Sequence, residues 1–225
     1  MIQRVYESSS GVFTHLVVAT DDHRIRETVE SFGGEVVMTS ADHRSGTDRC
    51  AEAFRICCEK YDIRFTHVVN IQGDEPFIRQ EQLLDLTAIL ELPDTGIATL
   101  VRVLGKEEEP DSPHMVKVVM DRHAKALYFS RSVIPYLRDP SGNDPGKKPD
   151  YYAHVGLYGF RADILERITR LPVSSLEAAE SLEQLRWLEN GFAIHTRVTA
   201  HHSPGVDTPE DLKKIVRDYL PGPAD

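Results

Sequence analysis

The sequence predicts an α/β protein, with βαβ units around a mostly parallel sheet, and three observations carry that expectation. Short apolar runs rich in valine and isoleucine alternate with helix-length segments through the first hundred residues. The run His67-Val68-Val69-Asn70-Ile71 stops abruptly at Gln72-Gly73-Asp74-Glu75-Pro76, as a buried strand does at the end of a sheet where ligands sit. Helix starts and stops carry cap and stop residues at the right offsets.

In chain order, residues 15–20 read as a strand, and Asp21-Asp22 lead into a helix over 24–30 that Gly33-Gly34 ends. Residues 35–39 return as a strand. A helix over about 47–61 precedes the strand 68–71, and a helix over 80–90 precedes the strand 97–103. The middle changes character: two short apolar runs, 115–120 and 126–129, flank the hairpin-length turn Asp121-Arg122-His123-Ala124. Residues 139–150 form a Pro/Gly-rich loop, and 154–160 a further strand with a helix over 162–171 behind it.

The capping box Ser174-Ser175-Leu176-Glu177 opens what reads as one helix running to Asn190-Gly191. Its apolar stripe is Ala178, Leu182, Leu185 and Leu188, which leaves Glu180, Glu183 and Gln184 on another face. A strand over 193–198 follows, and Thr208-Pro209-Glu210-Asp211 opens the last helix. No internal repeat interrupts this pattern, so residues 1–225 are read as a single domain.

A formal net charge of −10 argues against nucleic acid or an anionic membrane as partner. It still allows an anionic small substrate, given local basic residues or a divalent cation. Three cysteines, two of them adjacent, make no disulfide framework, and Cys50 and Cys57 lie seven apart in a helical pattern, as core residues would. No run is long and apolar enough to span a membrane and no signal peptide is visible, so a cytoplasmic setting is expected.

Asp74 reads either as a turn aspartate or as a metal ligand. Asp207 raises the second reading: it follows a strand, while Thr208 and Asp211 can account for the helix cap behind it, although Asp207 could itself cap in another register. Two carboxylates at strand ends suit a hard cation such as Mg²⁺, which would also let an acidic protein hold an acidic nucleotide. Around Ser45-Gly46-Thr47, flanked by Arg44 and Arg49, a helix start offers free N–H groups to an anion or base edge; plain capping by Ser45 or Thr47 is the competing reading. Arg131 follows a strand and could grip a carboxylate through two parallel hydrogen bonds. His154, Gly156, Tyr158 and Phe160 share one strand face, with Gly156 leaving space between two polar aromatic groups. His154 is equally readable as a hydrogen-bonded structural residue.

The ordered motifs 41–49 (ADHRSGTDR), 70–76 (NIQGDEP), 128–131 (YFSR), 154–160 (HVGLYGF), 182–186 (LEQLR) and 205–212 (GVDTPEDL) together resemble the 3-deoxy-manno-octulosonate cytidylyltransferases over nearly the whole chain. The resemblance implies a nucleotide-diphospho-sugar transferase-like, three-layer α/β/α fold with a mostly parallel mixed sheet and a small β-rich dimerisation and substrate subdomain. It implies transfer of CMP from CTP to 3-deoxy-manno-octulosonate (Kdo), with release of pyrophosphate, for lipopolysaccharide biosynthesis, by a homodimer using Mg²⁺. Carried over by motif, Asp74 and Asp207 would be catalytic and hold the metal. Ser45, Gly46, Thr47, Arg49, Gln72 and Gly73 would contact the nucleotide. Arg131, His154, Tyr158, Glu183 and Gln184 would line the sugar-acid pocket.

Two alternatives stand beside that expectation: a cytidylyltransferase for a related acidic sugar (8-amino-Kdo or a sialic acid), and a non-catalytic remnant that binds nucleotide or dimerises. The second arises because the family opens with a strand and a basic, glycine-containing loop, whereas this chain opens at Met1-Ile2-Gln3-Arg4-Val5, which resembles the helix after that loop. The resemblance implies a gap in the sheet and missing cations on the phosphate side, and leads us to expect a start upstream of Met1.

Overall fold

A computed structural model describes residues 1–105, 108–138, 150–206, 210 and 213. Its elements are α1 (Ile2–Ser10), β1 (Val18–Thr20), α2 (His23–Ser31), β2 (Val36–Met38), α3 (Gly46–Tyr61), β3 (His67–Asn70), α4 (Gln80–Leu90) and β4 (Ile97–Val103). Then come β5 (Lys117–Met120), β6 (Ala126–Ser130), β7 (Tyr152–Arg161), α5 (Ala162–Ile168), α6 (Ser175–Glu180), α7 (Glu183–Glu189) and β8 (Ile194–Val198). The local signals account for the caps. Asp22 accepts from the Arg24 N–H at 2.8 Å to start α2, and Gly33, at φ 77°, leaves it in a left-handed conformation that costs glycine nothing. Cys57 is buried and Cys50 packs against the main core, as their helical spacing suggests.

One expected element is divided. The helix expected from Ser174 to Asn190 breaks into α6 and α7 at Ser181, which takes φ 52°. A continuous helix needs the Glu180 carbonyl as acceptor for the N–H four residues on. That carbonyl instead receives Nε of Arg131 at 2.8 Å, while the Glu180 carboxylate accepts from the Ser130 hydroxyl at 2.6 Å and the Arg131 N–H at 2.9 Å. Tertiary partners have taken the groups that would carry the helix through.

The main sheet runs β6-β5-β7-β4-β8, with β3 also on β7. Strand β7 is antiparallel to β3, β4 and β5, and β8 is parallel to β4, so β3, β4, β5 and β8 share one direction and β6 and β7 oppose it. The sheet is therefore mixed although most of its strands point the same way. Ile97, Val101, Tyr158 and Phe160 face Ala51 of α3, Ile164 and Leu165 of α5, and Leu185 and Trp187 of α7. On the other face, Ala98, Leu100, Val155 and Leu157 meet α4 and Val5 of α1, which completes three layers.

Strands β1 and β2 form a separate two-stranded parallel sheet with a three-residue ladder. Helix α3 packs on β1, β2 and β3 and so joins the two sheets. Between them lies a cavity of about 550 Å³, lined by Val17 to Ala19 along β1, by His67 to Asn70 along β3, and by apolar side chains of α1 and α3. No described helix is long and apolar enough to cross a membrane.

Candidate active site

Strand β7 is the platform. On one edge it pairs with β4 over most of its length; on the other, residues 158–161 pair with β3 and residues 152–153 with β5. The His154 N–H still bonds the Val116 carbonyl at 2.8 Å, so residues 155–157 face a gap between the end of β3 and the start of β5. The chain leaving β3 turns into that gap. A Cβ on Gly156 would lie 2.9 Å from Oε1 of Glu75 and 3.8 Å from Cγ of Gln72, so glycine at 156 lets the Gln72–Glu75 turn lie against the strand. The space read beside Gly156 is taken by these two residues.

The start of α3 meets the start of α7 beside this turn. Ser45 caps α3 by accepting from the Asp48 N–H at 3.1 Å, and its hydroxyl donates to Oε1 of Glu183 at 2.8 Å. The Thr47 hydroxyl donates to Oε2 of Glu183, also at 2.8 Å, and Nη2 of Arg186 reaches Oε1 at 2.8 Å. Burial pushes the Glu183 carboxyl above its ordinary range, while the two hydroxyls and Arg186 pull it back. Gly46 lies beside the amides of Gln72 and Asn70; a Cβ there would be 3.5 Å from the first and 3.7 Å from the second. The capping reading of Ser45 holds, and its hydroxyl also bonds outward to α7.

His154 and Tyr158 stand together on β7 with ring centroids 5.1 Å apart, and Trp187 of α7 closes on Tyr158 edge-to-face. Burial lowers His154 to about 3 and lifts the Tyr158 phenol well above its usual value, with the Glu183 charge adding to the second shift. The Tyr158 hydroxyl is buried with no hydrogen-bond partner among the described residues. Gln184 is buried on α7.

Arg131 and Arg49 lie at the borders. The guanidinium of Arg131 donates to the carbonyls of Glu180 and Pro113, at 2.8 and 2.9 Å, so its fork clamps backbone in this state. Arg49 reaches Asp21 at 3.0 Å and the Thr39 hydroxyl at 2.6 Å, tying α3 to the ends of β1 and β2. Arg49, Gly46, Gln72 and Gly73 line the polar end of the inter-sheet cavity. A Cβ on Gly73 would lie 3.5 Å from Cδ1 of Ile2 at the start of α1.

Asp74 sits in the turn after β3, and its carbonyl accepts the Val206 N–H at 2.9 Å. Asp207 lies outside the described residues, but the residue before it is hydrogen-bonded to Asp74. Sequence reasoning passed over Glu75, Thr99, Lys117 and Arg186. Of these, Lys117 gave a signal, as a single charge inside an apolar strand run: it is fully buried, its ammonium donating to the carbonyls of Ser112 (2.8 Å), Met115 (2.6 Å) and Arg131.

A helix start and a strand-end turn meet at a gap in a mixed sheet, and the chain belongs to the cytidylyltransferase family, whose model matches residues 1–199. It is 49% identical to the 3-deoxy-manno-octulosonate cytidylyltransferase of Parabacteroides distasonis, over 96% of this chain and 86% of that protein. It is 51% identical to the protein of the same name from Bacteroides thetaiotaomicron, over 95% and 85%. A solved CMP:2-keto-3-deoxy-manno-octonic acid synthetase, complexed with CTP, superposes with a TM-score of 0.85 at 41% identity, covering 95% of this chain and 85% of that one.

Proposed function

We propose that this protein transfers CMP from CTP to Kdo, releasing pyrophosphate. The observation that carries the reading is the convergence of Ser45-Gly46-Thr47, Gln72, His154, Tyr158 and Glu183, from four separate stretches of chain, at the gap in β7, in a chain whose relatives carry that activity in their names. The names of those relatives do not favour a different acidic sugar or a non-catalytic remnant.

In this reading the sugar hydroxyl attacks the α-phosphorus in line as pyrophosphate leaves, so the protein's work is to orient two anionic reactants and offset their charge. The start of α3 and the Gln72 amide hold the nucleotide. His154, Tyr158, Glu183, Gln184 and Arg131 surround the acidic sugar.

Asp74 and Asp207 would hold Mg²⁺. The fit rests on two hard oxygen donors and on the Val206–Asp74 hydrogen bond, which brings the chain just before Asp207 to Asp74. The ion would supply Lewis-acid chemistry that offsets phosphate charge. A cytoplasmic homodimer belongs to the same proposal; exposed Leu127 on the edge strand β6 is the support for self-association.

The test is pyrophosphate release with CTP, Kdo and Mg²⁺. Kdo-dependent release is expected; none would end the assignment. Asp74→Asn and Asp207→Asn should each lower turnover by about 100-fold or more. Near-normal rates would remove them from the metal site.

A further inference from the structure

Thr99 is fully buried on β4, where the β4–β7 register slips. Its hydroxyl oxygen lies 2.7 Å from the Leu157 carbonyl, 3.3 Å from the Val155 carbonyl and 2.9 Å from Nε2 of His154. A hydroxyl has one hydrogen to give and two lone pairs to receive with. Two oxygens at 2.7 Å are at the preferred O–H···O separation, and without a hydrogen between them they repel. The Thr99 hydrogen is therefore committed to Leu157, and toward His154 the same oxygen can only accept.

It follows that Nε2 of His154 carries a hydrogen. The ring is packed edge-to-face against Phe129, at 5.3 Å, and tilted at 45° against Tyr158, at 5.1 Å, an aromatic enclosure that disfavours a charged imidazolium. Its lowered pKa agrees with that enclosure. A neutral imidazole has one ring hydrogen, so Nδ1 is left with a lone pair.

We infer that Thr99 is a positioning residue that locks His154 in the Nε2–H tautomer, so that Nδ1 meets the substrate as an acceptor for a hydroxyl group rather than as a cation for its carboxylate. The tautomer stands on the geometry alone. The role toward substrate rests on the placement of His154 in the acidic-sugar pocket.

The whole chain labelled with ¹⁵N-histidine reports the tautomer directly by long-range ¹H–¹⁵N NMR at about pH 7. A neutral Nε2–H pattern for His154 is expected; an Nδ1–H or doubly protonated ring would overturn the inference. Thr99→Val keeps the shape and removes both hydrogen bonds. It should blur the tautomer and weaken Kdo binding about tenfold, with CTP affinity unchanged to within about twofold, and Thr99→Ser should restore both. An equal loss for both ligands, or no change in either, would overturn the positioning role. If the wild-type chain bound neither ligand, the functional reading would fall, and the NMR pattern would still decide the tautomer.

Discussion

The two sides of the molecule are held by different means. Around β7 and β4 the strands are paired on both edges, and Ile97, Leu100, Val101 and Phe160 are wholly buried. Around β1 and β2 there is one three-residue ladder, a cavity on one side, and helix α3 packed against both strands. The side proposed for the acidic sugar is thus built on a packed sheet. The side proposed for the nucleotide, at the start of α3, is fixed by polar ties: Ser45 and Thr47 across to Glu183 of α7, and Arg49 to Asp21 beyond β1. Interior packing makes the first side stiff, whereas the second depends on a few polar contacts.

The same substitution on both sides measures the contrast most strongly. Val101→Ala, in the packed sheet, should cost about 2–3 kcal/mol in denaturant unfolding, and Val37→Ala, in the small sheet, about 1 kcal/mol, because a loosely packed site has fewer contacts to lose. Equal losses would break the comparison.

Acid provides a second measure. Burial lowers His154 from 6.5 to about 3, so between those values the unfolded chain binds one more proton than the folded one. Its contribution to stability is complete above pH 6.5 and is lost as pH falls through the window, with a slope of up to about 1.4 kcal/mol per pH unit. Urea unfolding of wild type against His154→Gln across that range isolates the effect; identical pH profiles would place the ring in contact with water.

The smallest effect sharpens the account of the cross-ties. Ser45→Ala removes the α3 cap and one hydrogen bond to Glu183, and should cost about 1 kcal/mol while weakening CTP more than Kdo in binding titrations. A variant with wild-type stability and CTP affinity would mean that the tie is idle.

How much of this could be read from the sequence differs by element. Helix α4 and strand β4 fall where the apolar pattern puts them, because their burial follows local periodicity. Strand β1 is shorter than its apolar run, since its ladder reaches only as far as β2. The break at Ser181 was hidden because the groups that cause it, Ser130 and Arg131, lie about fifty residues away. Among site residues, the hydroxyls at the start of α3 and the polar group at 183–184 were visible as motifs, and their bonding to one another was not. Glu75 and Thr99 gave no separate signal: one follows an aspartate in a turn, and the other looks like an ordinary strand threonine.

By itself the sequence determined the α/β class, the caps and the chemical types available at the strand ends, because these depend on neighbours a few residues apart. The tertiary structure alone decided that β7 lies between β3 and β4, that Glu183 spans the site to Ser45 and Thr47, and that Thr99 sets the hydrogen of His154. Those outcomes depend on hydrogen bonds between groups far apart in the chain, and a hydroxyl's single hydrogen has a direction only once its partners are in place.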